Sequence, residues 1–71
     1  MKLGNTLRRH RFDHNEMSQQ ALAEAIGVTR QTILSIEKGK FVPSTLLALK
    51  LARFFGTPVE KLFYLMDTGD E

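Results

Sequence analysis

The 71-residue sequence has no cysteine, only two prolines and only two histidines. Without cysteine there can be no disulfide framework, no thiolate zinc site and no thiol nucleophile. No apolar run approaches the ~18 residues a membrane span needs, and the first residues lack the charged-then-apolar pattern of a secretory signal. The expected compartment is the cytoplasm. The length suits one domain and leaves no room for two cores or for a catalytic cleft between lobes. With no covalent staple, the 42% of apolar residues must pack into a compact core by themselves.

Charge is modest and unevenly placed. Residues 1–40 carry seven Lys/Arg against four Asp/Glu, residues 41–71 three against four, and Asp67, Asp70 and Glu71 collect at the end. The asymmetry permits a polyanionic partner without requiring one. It divides the chain into a domain over 1–66 and a short acidic tail over 67–71.

Helix signals are frequent and strand signals few, so the expected fold class is all-α with five helices. Leu3 and Leu7 share a face, which predicts a first helix ending near Phe12. Asp13 to Met17 is polar turn chemistry closed by an apolar plug. Ser18 is an N-cap for a second helix that Gly27 ends, and Thr29 caps a third over 30–38, closed by Gly39. Pro43 biases Val42 away from the α region. Ser44 then caps a fourth helix, ended by Gly56, whose apolar residues nearly encircle it and place it centrally in the core. Thr57, Pro58 and Glu60 spell a capping box with proline at the first helical position, and the fifth helix runs to about Tyr64.

The most informative stretch is 19–38. Two short helices can meet steeply across the three-residue turn Gly27-Val28-Thr29 only if several demands are met together. The turn needs a residue tolerant of positive φ, which Gly27 supplies. The crossing needs a small residue, and Ala23 is there. The facing stripes need aliphatics, which Leu22, Ile26, Val28, Ile33 and Ile36 provide. This is a helix-turn-helix pattern.

In that geometry the second helix enters the major groove N-terminus first, which singles out Arg30, Gln31, Thr32 and Ser35. Arginine can grip O6 and N7 of guanine, and glutamine N6 and N7 of adenine; Thr32 and Ser35 can bond a base edge or a phosphate, or touch a thymine methyl. Phosphate clamping falls to Gln19 at the start of the second helix and to Thr29, Lys38 and Lys40 around the third.

The residues Ser18-Gln19-Gln20-Ala21-Leu22-Ala23, Gly27 to Ile33, Ile36-Glu37-Lys38-Gly39-Lys40, Pro43-Ser44, Leu49 to Gly56 and Val59 to Phe63 resemble the Cro/cI-type helix-turn-helix regulators. The resemblance covers roughly residues 3–64 and implies a lambda-repressor-like DNA-binding domain. It points to the same reading face and to Gln19 on the DNA backbone. It also implies that Glu37 pairs with an arginine of the first helix, for which Arg11 is the candidate. The loop after the first helix is one residue longer than in many members, and His10 stands where an aliphatic residue is usual. Leu34, outward on the recognition helix by spacing, can pack on a partner or touch thymine methyls.

Such a domain is expected to bind double-stranded DNA as a homodimer on a pseudo-palindrome, because one recognition helix makes a small interface. Phe63, Tyr64 and Leu65 offer apolar surface for the second copy. The expected role is a transcriptional repressor, since no residues are left over for a sensor or activation domain. The alternative is an antitoxin-type interaction module on the same fold, which a neighbouring toxin gene would reveal. No nucleophile–base pair, carboxylate pair or phosphate loop supports an enzyme. His10 and His14 at i, i+4 find no third ligand, so no metal, cofactor, membrane or small-molecule partner is expected.

Overall fold

The computed structural model describes residues 1–67, so all of the acidic tail except Asp67 lies outside the described residues. In chain order the elements are β1 (Lys2–Asn5), α1 (Leu7–Asp13), α2 (Gln19–Ile26), α3 (Arg30–Glu37), α4 (Thr45–Phe55), α5 (Val59–Leu62) and β2 (Phe63–Met66). The helices start where the sequence places their caps. Ser18 Oγ accepts from Ala21 N–H at 2.9 Å, Thr29 Oγ1 from Thr32 N–H at 3.2 Å, and Ser44 Oγ from Leu47 N–H at 3.1 Å. Each satisfies one of the N–H groups a helix start leaves orphaned.

Six side chains, Leu7, Leu22, Ile33, Ile36, Leu51 and Leu62, are essentially sealed from solvent. They come from all five helices, so every helix contributes to one core. Burying each adds about 1.5–3 kcal/mol of hydrophobic stabilisation. The α4 expectation was too broad. Its buried residues are Leu51 and Ala52, whereas Leu46 and Leu49 are 70% and 52% exposed. Its apolar residues therefore divide between a core face and a solvent face.

The domain is mostly helical but not all-α. β1 and β2 form a two-stranded antiparallel sheet in which Lys2 pairs with Met66, Leu3 with Leu65, Gly4 with Tyr64 and Asn5 with Phe63. Leu3 therefore belongs to a strand, not to the first helix, and Tyr64 to a strand, not to the last. The last helix stops at Leu62 because Phe63 turns extended, at φ −127° and ψ 138°. Across the junction Thr6 N–H bonds to Leu62 C=O at 2.9 Å, and Thr6 Oγ1 donates to Lys61 C=O at 2.7 Å. The two ends of the described chain are thus stitched together where the sheet begins.

The capping box at Thr57 does not form. The N-cap of α5 is Pro58, and no side chain caps it. Thr57 N–H instead bonds to Ala52 C=O at 3.0 Å behind Gly56 at φ +64°, which is how a glycine-terminated helix satisfies its last carbonyls. Thr57 closes α4 and does not open α5.

Gly4 is buried, and a Cβ there would lie 2.5 Å from Tyr64 Cε2 and 2.7 Å from Cζ. The tyrosine ring lies over the space that the glycine leaves open. Gly4→Ala should lower stability by about 1 kcal/mol as the ring is displaced, near the lower end of the usual overpacking cost. In a Tyr64→Ala background most of that loss should vanish, because the two residues share one contact. Urea unfolding of the two single variants and the double variant measures this, and additive losses would refute the contact.

Candidate nucleic-acid interface

The α2–α3 turn builds the site. Gly27 adopts φ +88°, and Gly27 N–H and Val28 N–H both bond to Ala23 C=O, at 2.8 and 3.0 Å. Thr29 is extended at φ −85° and ψ 156°, so α3 starts in a new direction. Ile33 and Ile36 anchor α3 in the core, while Arg30 and Gln31 stand exposed on its first turn and Thr32 and Ser35 are half-buried. Among the described residues, the side chains of Arg30, Gln31, Ser35, Lys38 and Lys40 make no hydrogen bond or ion pair within the chain. Thr29 and Thr32 are different, because their hydroxyls lie 3.0 Å apart and bond to each other.

Beneath this face lies a network centred on Glu37. Arg11 grips its carboxylate with two parallel bonds, Nε to Oε2 at 2.6 Å and Nη2 to Oε1 at 2.9 Å. The two side chains are only 13% and 8% exposed. The remaining arm of the guanidinium, Nη1, donates to Met17 C=O at 2.7 Å, and Gln19 Nε2 donates to Glu37 Oε1 at 3.2 Å. Gln19 therefore has one amide N–H committed to Glu37 and a second free to donate outward.

Lys38 and Lys40 are exposed just beyond α3, on a loop that folds back so that Lys40 N–H bonds to Ser35 C=O at 2.9 Å. Leu34 is half-buried and borders a cleft of about 410 Å³ with Arg8, Arg11, Gln19, Glu37 and Lys38. It lies toward α1 and α2. Phe63 is part of the core and 9% exposed, so its ring is not free for an interface. Tyr64 and Leu65 are exposed.

The histidines are occupied structurally. His10 Nδ1 lies within hydrogen-bond distance of both Thr6 C=O, at 3.0 Å, and Thr6 Oγ1, at 3.1 Å. His10 packs on Phe55, with ring centroids 5.6 Å apart, and His14 on Phe54 at 5.4 Å and Phe55 at 5.8 Å. No cluster of three metal-binding side chains occurs among the described residues.

Two contributors were missed in the sequence. Asn5 Nδ2 donates to Ile36 C=O at 3.0 Å while its Oδ1 accepts from Leu7 N–H at 3.1 Å, so it bolts β1 to the end of α3. Phe41 borders the reading face. For Asn5 the available signal was an N-capping residue just ahead of Leu7; nothing in the sequence marked Phe41.

A model of the helix-turn-helix family matches residues 9–62. The chain belongs to the Cro/cI-type helix-turn-helix family. It is 49% identical over 63 residues to an uncharacterized HTH-type transcriptional regulator of Methanocaldococcus jannaschii, covering 89% of this chain and 94% of that one. It is 54% identical over 48 residues to the uncharacterized HTH-type transcriptional regulator YgzD of Bacillus subtilis, covering 68% and 73%. The cryptic phage CTXphi transcriptional repressor RstR of Vibrio cholerae is 38% identical over 47 residues, 66% of this chain and 42% of RstR. These are regulators and not enzymes.

The burial of the Arg11–Glu37 pair sets what breaking this Cro/cI-type network should do. Glu37→Ala leaves a guanidinium largely out of water and should cost about 3–5 kcal/mol. Replacing both partners, as Arg11→Met with Glu37→Leu, should recover much of that loss, because no unpaired charge remains. Denaturant midpoints would show it, and a Glu37→Ala loss below 1 kcal/mol would mean the pair is effectively solvated.

Proposed function

We propose that the protein is a sequence-specific, double-stranded-DNA-binding transcriptional regulator, and a repressor, that reads the major groove with α3. The observation that carries this is the pair Arg30 and Gln31: exposed, unbonded within the described chain, and set on the first turn of a helix anchored by Ile33 and Ile36. Arg30 suits a guanine and Gln31 an adenine, each pair worth roughly 1–3 kcal/mol of discrimination. Thr32 and Ser35 lie a little further along the same helix and supply short polar contacts to the bases.

The phosphate contacts come from both sides of α3. Gln19 offers its second amide N–H, held in place by Glu37, and Lys38 and Lys40 offer ammonium groups on the far side. Thr29 contributes through its position at the helix start, where backbone N–H groups favour an anion. The 38% identity to a phage repressor supports repression as the direction.

A single α3 covers too few base pairs for a selective complex, so the protein acts as a homodimer on a pseudo-palindrome with half-sites ~34 Å apart. Tyr64 and Leu65, exposed on β2, belong to the surface available to the second copy, and Phe63 supports them from the core. No helix is long and apolar enough to cross a membrane among the described residues, and the work of such a regulator is cytoplasmic.

Selection of bound duplexes from a random DNA library tests the reading; an enriched inverted repeat supports it, and the absence of enrichment overturns it. On the enriched site Arg30→Ala should relax specificity at one base pair per half-site, at roughly 1–3 kcal/mol. Lys40→Ala should instead weaken all sequences alike and flatten the salt dependence by about one unit of slope. Equal losses on every sequence for both variants would refute this division of base and phosphate contacts.

A further inference from the structure

Phe41 is 46% exposed, yet its backbone is held firmly. Gly39 turns at φ +75° and its N–H bonds to Ile36 C=O at 3.0 Å; Lys40 N–H and Phe41 N–H then both reach Ser35 C=O, at 2.9 and 3.3 Å. The loop after α3 is thereby folded back on the helix, and the ring is set beside the reading face. Phe41, Thr29, Gln31, Thr32 and Ser35 together border a shallow depression of about 140 Å³. None of the five carries a charge. The Thr29 and Thr32 hydroxyls bond to each other at 3.0 Å, which occupies one of their two protons, and their methyl groups add to the Phe41 ring as the apolar part of this rim.

In the major groove the one apolar feature on a base edge is the C5-methyl of thymine. We propose that this depression receives a thymine methyl, which makes Phe41 a specificity residue acting from the loop beyond the recognition helix. The thymine lies within one base pair of the base that Gln31 reads, because Gln31 forms part of the same rim. This inference rests on the DNA-binding reading above and adds to it a contact outside α3.

The same ring also borders a groove with Met1, Val42 and Met66, which gives it a rival role beneath a second copy of the chain. The test separates the two. With the full chain and the enriched duplex, each thymine is replaced singly by deoxyuridine, which removes only the methyl, and affinity is read by fluorescence anisotropy. Wild type should lose roughly fourfold at one thymine per half-site, the worth of one buried methyl. Phe41→Ala should bind the thymine and uracil duplexes equally there, and Phe41→Leu should keep part of the preference; circular dichroism checks that both fold. The inference is overturned if no thymine near the Gln31 base is sensitive, or if Phe41→Ala keeps the full preference. A Phe41→Ala chain that keeps the preference and sediments as a smaller species would assign the ring to the second copy. A library that enriches nothing would overturn this inference together with the DNA-binding reading, an outcome distinct from an enriched site indifferent to the methyl.

Discussion

The carboxylate of Glu37 is the point on which the orientation of three segments depends. It ends α3, takes two bonds from Arg11 of α1 and a third from Gln19 at the start of α2. Arg11 also holds the loop between α1 and α2 through Met17 C=O. Withdrawing two charges from water costs several kcal/mol per ion, so the network adds little net stability and acts chiefly through its directionality. An aliphatic contact in its place would let the helices slide and rotate; a bidentate pair of fixed planes does not. Gln19 and the reading residues are thereby parts of one rigid body.

The division of labour along α3 follows from its short length. Ile33 and Ile36 face inward and Leu34 is half-buried toward α1 and α2, while Arg30 and Gln31 stand exposed and Thr32 and Ser35 half-buried on the reading side, a division the 3.6-residue period allows. The anchoring positions and the reading positions do not overlap. Base preference can therefore change by substitution at Arg30 or Gln31 without disturbing the core, while any change at Ile33 alters how the whole reading face is presented.

What the sequence disclosed was whatever is decided locally. Ser18, Thr29 and Ser44 cap because a hydroxyl next to a helix start has N–H groups within reach, and Gly27 turns because only its own backbone is concerned. The Arg11–Glu37 pair became visible through family resemblance, since residues 26 apart carry no local signature of contact. The terminal sheet was not legible: Leu3 and Leu7, four apart, fit a helix face, and only a partner some sixty residues away makes Lys2–Asn5 a strand. Thr57-Pro58 was locally consistent with a helix start, but the Thr57 N–H had a stronger claim in Ala52 C=O. Phe41 was equally opaque, because Gly39 announces a turn without saying on which side of α3 the next ring will rest. Apolar content likewise could not separate Leu51, which is sealed, from Leu46, which is not.

The pairing of Lys2–Asn5 with Phe63–Met66 also orders events in time. These contacts join the most distant parts of the described chain, whereas the α2–α3 unit joins near neighbours. Closing so long a loop carries a larger entropic penalty than closing a short one, and the sheet has no second half until β2 has been synthesised. During translation, then, the reading helix and its turn emerge well before the strand that fastens β1 across Gly4. Until that strand pairs, β1 has no partner and Gly4 lacks the Tyr64 ring that covers it.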